Sequence, residues 1–126
     1  MLSFSVTARL GAIVTLILFS AFAFFPVLPF AVFGVEMTPE AMLIGRRMSA
    51  LFLGIGVMLA LSHGAENSPL RRSISAGLSV SMAALALFGL WDFVHGSAGL
   101  GIWAAILAET FFAAAFAFHA RSAPTP

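Results

Sequence analysis

The chain has 126 residues, 61% hydrophobic and 9% charged, with a mean hydropathy of +1.07, where an ordinary soluble domain carries about 25% charged residues. Six arginines, no lysine and five acids leave a net charge of +1, so the sequence pI of about 9.2 rests on few charges and offers no basic surface for nucleic acid. With no cysteine, disulfides, thiolate metal sites, haem attachment and thiol catalysis are excluded.

This composition predicts an all-α membrane protein, a single integral membrane domain over residues 1–126. Four stretches of about 20 apolar residues, each able to span a hydrocarbon core of about 30 Å, use nearly the whole chain. The first is residues 6–25. Arg9 ahead of "LGAIVTLILFSAFAFF" is similar to a secretory signal, but the run is long and no small-x-small site followed by a polar mature start is present, so a retained helix is expected.

"PVLPFAVFGV", residues 26–35, carries Pro26 and Pro29, which remove backbone donors and kink or end a helix; a bent or interfacial segment is expected. The second helix, residues 39–62, opens with Thr38 as N-cap, Pro39 at the first helical position and Glu40 in the first turn, where the macrodipole favours an acid. Residues 63–73, "HGAENSPLRRS", are rich in breakers and read as a short polar loop. A third helix follows over 74–94, then the turn "HGSAGLG" and a fourth helix over 102–118, with "HARSAPTP" as a polar, frayed tail.

Arginine placement orients this four-transmembrane-helix bundle, since short cytoplasmic loops hold the excess of basic residues. Arg9, Arg71, Arg72 and Arg121 fall on one side, Glu36, Glu40 and His95 on the other, which predicts both termini in the cytoplasm.

Arg46 and Arg47 fall inside the second helix and Glu109 inside the fourth. Both helices run inward from the outer face, and at 1.5 Å per residue the three lie roughly 8 to 10 Å below it. Asp92, near the outer end of the third helix, lies a few ångströms above them. Intramembrane charges are costly and normally face the bundle and pair, so Glu109 is expected to meet Arg46 or Arg47, with the other guanidinium taking Asp92 or snorkelling outward. The four form either a structural charge network fixing helix register or a ligand-binding site for an anion, a proton or a lipid headgroup. Arg47, Ala50 and Gly54 on the second helix, Ala105, Glu109 and Ala113 on the fourth, and Ser75, Ser79, Ala86 and Gly89 on the third supply small-residue faces for close approach.

His63, His95 and His119 sit at helix ends and read as interfacial residues; Asp92 and His95 at i, i+3 give at most a two-ligand edge, short of the three converging ligands of a metal site. Trp91 and Trp103 read as an aromatic belt. No phosphate loop, nucleophile elbow or paired catalytic carboxylate is present, so no catalytic residue and no metal ligand is assigned.

The segment "IGRRMSALFLGIGVMLALS", a short basic loop, an Ala/Leu-rich third helix, the turn "HGSAG" and a last helix containing "LAE" resemble, over residues 40–118, small four-helix bacterial inner-membrane proteins of the domain-of-unknown-function type, with DoxX-like architecture. The resemblance implies a compact four-helix bundle in which Arg46 or Arg47 and Glu109 match that pattern's second-helix arginine and fourth-helix glutamate. "AAILAE" is also similar to the glutamate-bearing stretch of small multidrug resistance transporters, but there the acid lies in the first helix and here in the fourth, so no role carries over.

The leading expectation is a non-enzymatic accessory or assembly subunit of a membrane complex, or a small homo-oligomer. The alternative is a small transporter or binder of an anionic or lipophilic ligand using Arg46, Arg47, Asp92 and Glu109. A third reading, a quinone-handling oxidoreductase subunit, rests on the DoxX-like resemblance alone. The sequence names no cofactor; the bilayer, protein partners and further copies of the chain are the partners it implies.

Overall fold

The computed structural model describes residues 2–124, which form five helices: α1 (Phe4–Phe24), α2 (Val27–Phe33), α3 (Pro39–Ser62), α4 (Pro69–Val94) and α5 (Ile102–Ser122). The four long ones, of 21, 24, 26 and 21 residues, are each long and apolar enough to cross a membrane. Ile17, Leu61, Val80 and Leu107, one on each, are exposed, as side chains bathed by lipid rather than water would be.

Each boundary has a local cause. Ser3, Thr38 and Ser68 cap α1, α3 and α4, accepting hydrogen bonds from the amides of Val6, Ala41 and Arg71 at 3.2 to 3.3 Å, which satisfies donors a helix start leaves bare. Pro26 ends α1, because the residue before proline is driven from the helical region and Phe25 adopts φ −130°, ψ 54°. The expected bent segment is therefore a separate short helix, α2. Helices α2 and α4 finish in matching Schellman turns: Gly34 donates to Ala31 and Val35 to Phe30, as Gly96 donates to Phe93 and Ser97 to Asp92. These turns need a residue at positive φ, and Gly34 (64°) and Gly96 (76°) provide it without a Cβ clash.

Two boundaries depart from the sequence reading. Helix α4 begins at Pro69 rather than near 74, because Ser68 and Pro69 repeat the cap-and-proline start of α3; Arg71 and Arg72 thus lie in a helix, not in a loop. Helix α5 runs past 118 to Ser122, its last turn holding His119 and Arg121, of which the Arg121 charge complements the carbonyl end. Asn67 donates to the carbonyl of Ser122 and Arg72 to that of Ala123, so this stretch is tied down.

The long helices pack as a row, α3 against α1, α1 against α5, and α5 against α4, with no comparable packing between α3 and α4. One end, here termed proximal, holds the start of α1 and the end of α5. There Phe4, Ala8, Ala12, Leu59, Leu78, Met82, Phe112 and Phe116 form a continuous core drawn from all four long helices. At the distal end, where α2 lies, buried contacts are pairwise. Gly45 of α3 lets Phe22 of α1 and Phe30 of α2 approach, and Gly89 of α4 does the same for Ile106 of α5. Apolar association gains little inside lipid, so such close small-residue contacts hold helices together. The bundle is closed proximally and splayed distally.

Candidate ligand cleft

The splay leaves a cleft of about 420 Å³ reaching from the core toward α2. Leu59, Leu78, Phe112 and Phe116 of the core form its floor. Its distal walls carry Phe22 of α1, Met48 and Phe52 of α3, and Phe88 of α4, with Phe33 of α2 above. Phe22 lies 6.2 Å from Phe52 and 6.4 Å from Phe33 between ring centroids, so three aromatic rings cluster at this end. The carbonyl of Phe33 accepts a 2.7 Å hydrogen bond from the amide of Gly99, and a Cβ at Gly101 would run into the carbonyl of Val32. Two glycines of the α4–α5 turn thus let α2 be stitched down as a roof.

Three lining residues have polar side chains. Thr15 donates to the carbonyl of Gly11 at 2.8 Å, which leaves Asp92, exposed, and Glu109, half-buried, as the ionisable groups on the walls. Gly89 and Ile106 touch and therefore mark a common level of the antiparallel pair α4 and α5. Asp92 lies three residues distal of that level and Glu109 three residues proximal, so at 1.5 Å per residue the two acids are separated by about 9 Å along the bundle axis. They stand at two depths of one cleft instead of sharing a single site.

Arg46 and Arg47 are not with them. Both are exposed, and neither lines the cleft. The arginine side-chain hydrogen bonds formed among the described residues come from Arg71 and Arg72. The expected approach of Glu109 to a guanidinium of α3 is therefore not seen, for a rotational reason. Helix α3 turns Gly45, Ser49 and Gly56 toward α1, with a Cβ at Gly56 falling 2.8 Å from Leu16. At 100° per residue, Arg46 and Arg47 then point about 80° and 180° away from the middle of that seam. The Arg47–Ala50–Gly54 face expected to pack is the outward one: a Cβ at Gly54 would meet nothing within 4 Å. On the other helices the expected faces turn inward: Ser79 donates to the carbonyl of Ala113 at 2.9 Å, whereas Ala105 and Glu109 line the open cleft.

At the proximal end the structure assembles a polar cluster that the sequence reading passed over. Thr7 and His119, 0% and 4% exposed, are joined at 3.1 Å between Oγ1 and Nε2. Phe4 meets the His119 ring edge-on at 5.5 Å, and the Arg71 guanidinium lies 4.9 Å over the Phe4 ring, a cation–π contact. Ser75, one turn beyond Arg71, is fully buried, and its hydroxyl and the Arg71 Nε have no hydrogen-bond partner. The available signal was Thr7, Gly11 and Thr15 at four-residue spacing on α1, a small-residue stripe that marks a packed face. His63 and His95 sit at helix ends on their own helices' carbonyls, and among the described residues no three potential ligands converge on a metal site.

No family model, curated protein or solved structure matches the chain. The cleft geometry is therefore what bears on function.

Proposed function

We propose that the chain is a multi-pass protein of the bacterial inner membrane, both termini cytoplasmic, that binds a lipophilic cation in the cleft between its two helix pairs. The observation that carries this reading is an apolar cavity whose ionisable groups are two carboxylates, Asp92 and Glu109, with no arginine on its walls. Its volume of about 420 Å³ falls in the range of about 300–1,000 Å³ usual for small-molecule sites. The rings of Phe22, Phe33 and Phe52 add faces that attract a cation. A positive charge about 4 Å from a carboxylate gains about 4 kcal/mol at an effective dielectric constant near 20, whereas an anion would be repelled. The gap between α3 and α4 supports entry sideways from the bilayer.

The reading is preferred over a purely structural assembly subunit because two carboxylates face a cavity that no side chain of this chain fills. Purified protein in nanodiscs, titrated with a lipophilic quaternary ammonium dye and its neutral carbon isostere, tests it. The cation should bind at least about tenfold tighter, a difference of about 1.4 kcal/mol, and Glu109→Gln should remove the preference. Equal binding of the two probes, or a preference untouched in the Glu109→Gln, Asp92→Asn double variant, refutes it.

A further inference from the structure

The two carboxylates of the cleft stand at different levels, and the aromatic wall belongs to one of them. Gly89 of α4 and Ile106 of α5 touch, with Asp92 about 4.5 Å distal of that level and Glu109 about 4.5 Å proximal. A Cβ at Gly11 of α1 would meet Phe112 and Phe116 of α5 at 3.7 Å, which puts Gly11 about 12 Å proximal of the same level. Phe22, three turns further along α1, then stands about 4.5 Å distal of it, at the level of Asp92. The rings of Phe33 and Phe52 gather on Phe22. The outer level therefore holds a carboxylate and aromatic faces, and the inner level holds Glu109 above the apolar floor.

Between the two levels the walls are apolar and low: Gly89, Ala105 and Ala108, with Phe88 beside them, line this part of the cleft. A helical side chain leans toward its own N-terminus, and α4 and α5 are antiparallel, so Asp92 and Glu109 lean toward each other and their axial gap falls from about 9 Å to about 6 Å. Neighbouring helix axes lie about 8–10 Å apart, which makes the direct distance between the carboxylates about 10 Å.

We infer that the cleft selects a dication, two positive centres about 10 Å apart joined by an apolar linker, with the inner centre on Glu109 and the outer, a quaternary ammonium, between Asp92 and the ring of Phe22. This rests on the cation reading and narrows its substrate class. A single cation neutralises one carboxylate and leaves the other facing the cavity, whereas a dication of this length meets both. Joining two contacts raises affinity only when the linker matches the span, so the separation of the two acids sets the length of the ligand.

Isothermal titration calorimetry in phosphatidylcholine nanodiscs, with the heats of empty nanodiscs subtracted, tests the inference. The probes are alkanes ending in trimethylammonium at both ends, in trimethylammonium at one end and tert-butyl at the other, or in tert-butyl at both. With the ends about 10 Å apart the dication should bind about tenfold tighter than the monocation, and the gain should vanish when the ends are about 5 or about 16 Å apart. Asp92 is exposed, so Asp92→Asn should keep the wild-type thermal midpoint while bringing the ratio of dication to monocation affinity to about one. Asp92→Glu, which keeps the charge, should keep the gain. A gain that is the same at all three lengths, that survives in Asp92→Asn, or that is lost in Asp92→Glu overturns the inference. If the monocation outbinds the neutral probe but the second charge adds nothing, the dication inference fails and the cation reading stands. If neither charged probe outbinds the neutral one, both fail.

Discussion

Replacing Thr7 by Val removes one hydroxyl and leaves shape and volume almost unchanged, so the hydrogen bond to His119 is tested without a cavity. The Thr7 Oγ1 also lies 3.1 Å from the carbonyl of Ser3, but that carbonyl keeps the amide of Thr7 at 3.0 Å. The loss therefore falls on His119. A side-chain hydrogen bond between membrane helices is worth about 0.6 kcal/mol on average and about 1.7 at most. His119 is 4% exposed, and an orphaned buried polar atom costs about 1–3 kcal/mol. Together these give a loss of about 1–3 kcal/mol for Thr7→Val. His119→Phe keeps the edge contacts with Phe4 and Phe118 at 5.5 Å and removes the polar group. In the double variant neither orphan remains, and the loss should be smaller than the sum of the single losses by about 1 kcal/mol. Reversible unfolding in mixed micelles measures all four species. A coupling energy of zero within error would refute the claim that this bond ties α1 to α5.

Two further substitutions probe the seams that shape the cleft. Gly56→Leu drives a side chain into Leu16 and Thr15, which already lie 2.8 to 3.0 Å from the position of a Cβ, and should cost about 1–3 kcal/mol in the same unfolding assay, while Gly54→Leu, two residues away and facing open space, should cost nothing measurable. Gly101→Ala places a methyl against the carbonyl of Val32 and should free the Gly99 amide from Phe33, read as faster hydrogen exchange at Gly99 with protection at Phe116 unchanged.

The four long helices were legible because spans this apolar have few other uses, and the start of α3 because Thr38, Pro39 and Glu40 form a recognisable cap. The same signal at Ser68 and Pro69 was outweighed by the adjacent arginines, whose charge suggested a loop although a first turn accommodates them. The depth of Arg46, Arg47 and Glu109 follows from counting residues; their pairing does not. Helix α3 offers two small-residue faces, Gly45–Ser49–Gly56 and Arg47–Ala50–Gly54, and periodicity alone cannot choose between them. The choice depends on what Phe22 and Leu16 of α1 present, a matter of shape between helices. His119 was misjudged for a related reason: a helix-end histidine is interfacial by sequence, and only the approach of Phe4 and Thr7, more than a hundred positions earlier, covers it.

The row order of the helices also bears on biosynthesis. Thr7 and His119 are 112 positions apart, so the central seam between α1 and α5 cannot form until the last helix has left the ribosome. Until then α1 and α3 can pair, with Gly11 against Leu59, but Thr7 lacks its partner on the last helix. Ribosome-stalled chains ending before Ile102 would thus hold a hairpin awaiting its counterpart, and insertion of the final helix is the step that converts two loose halves into one bundle.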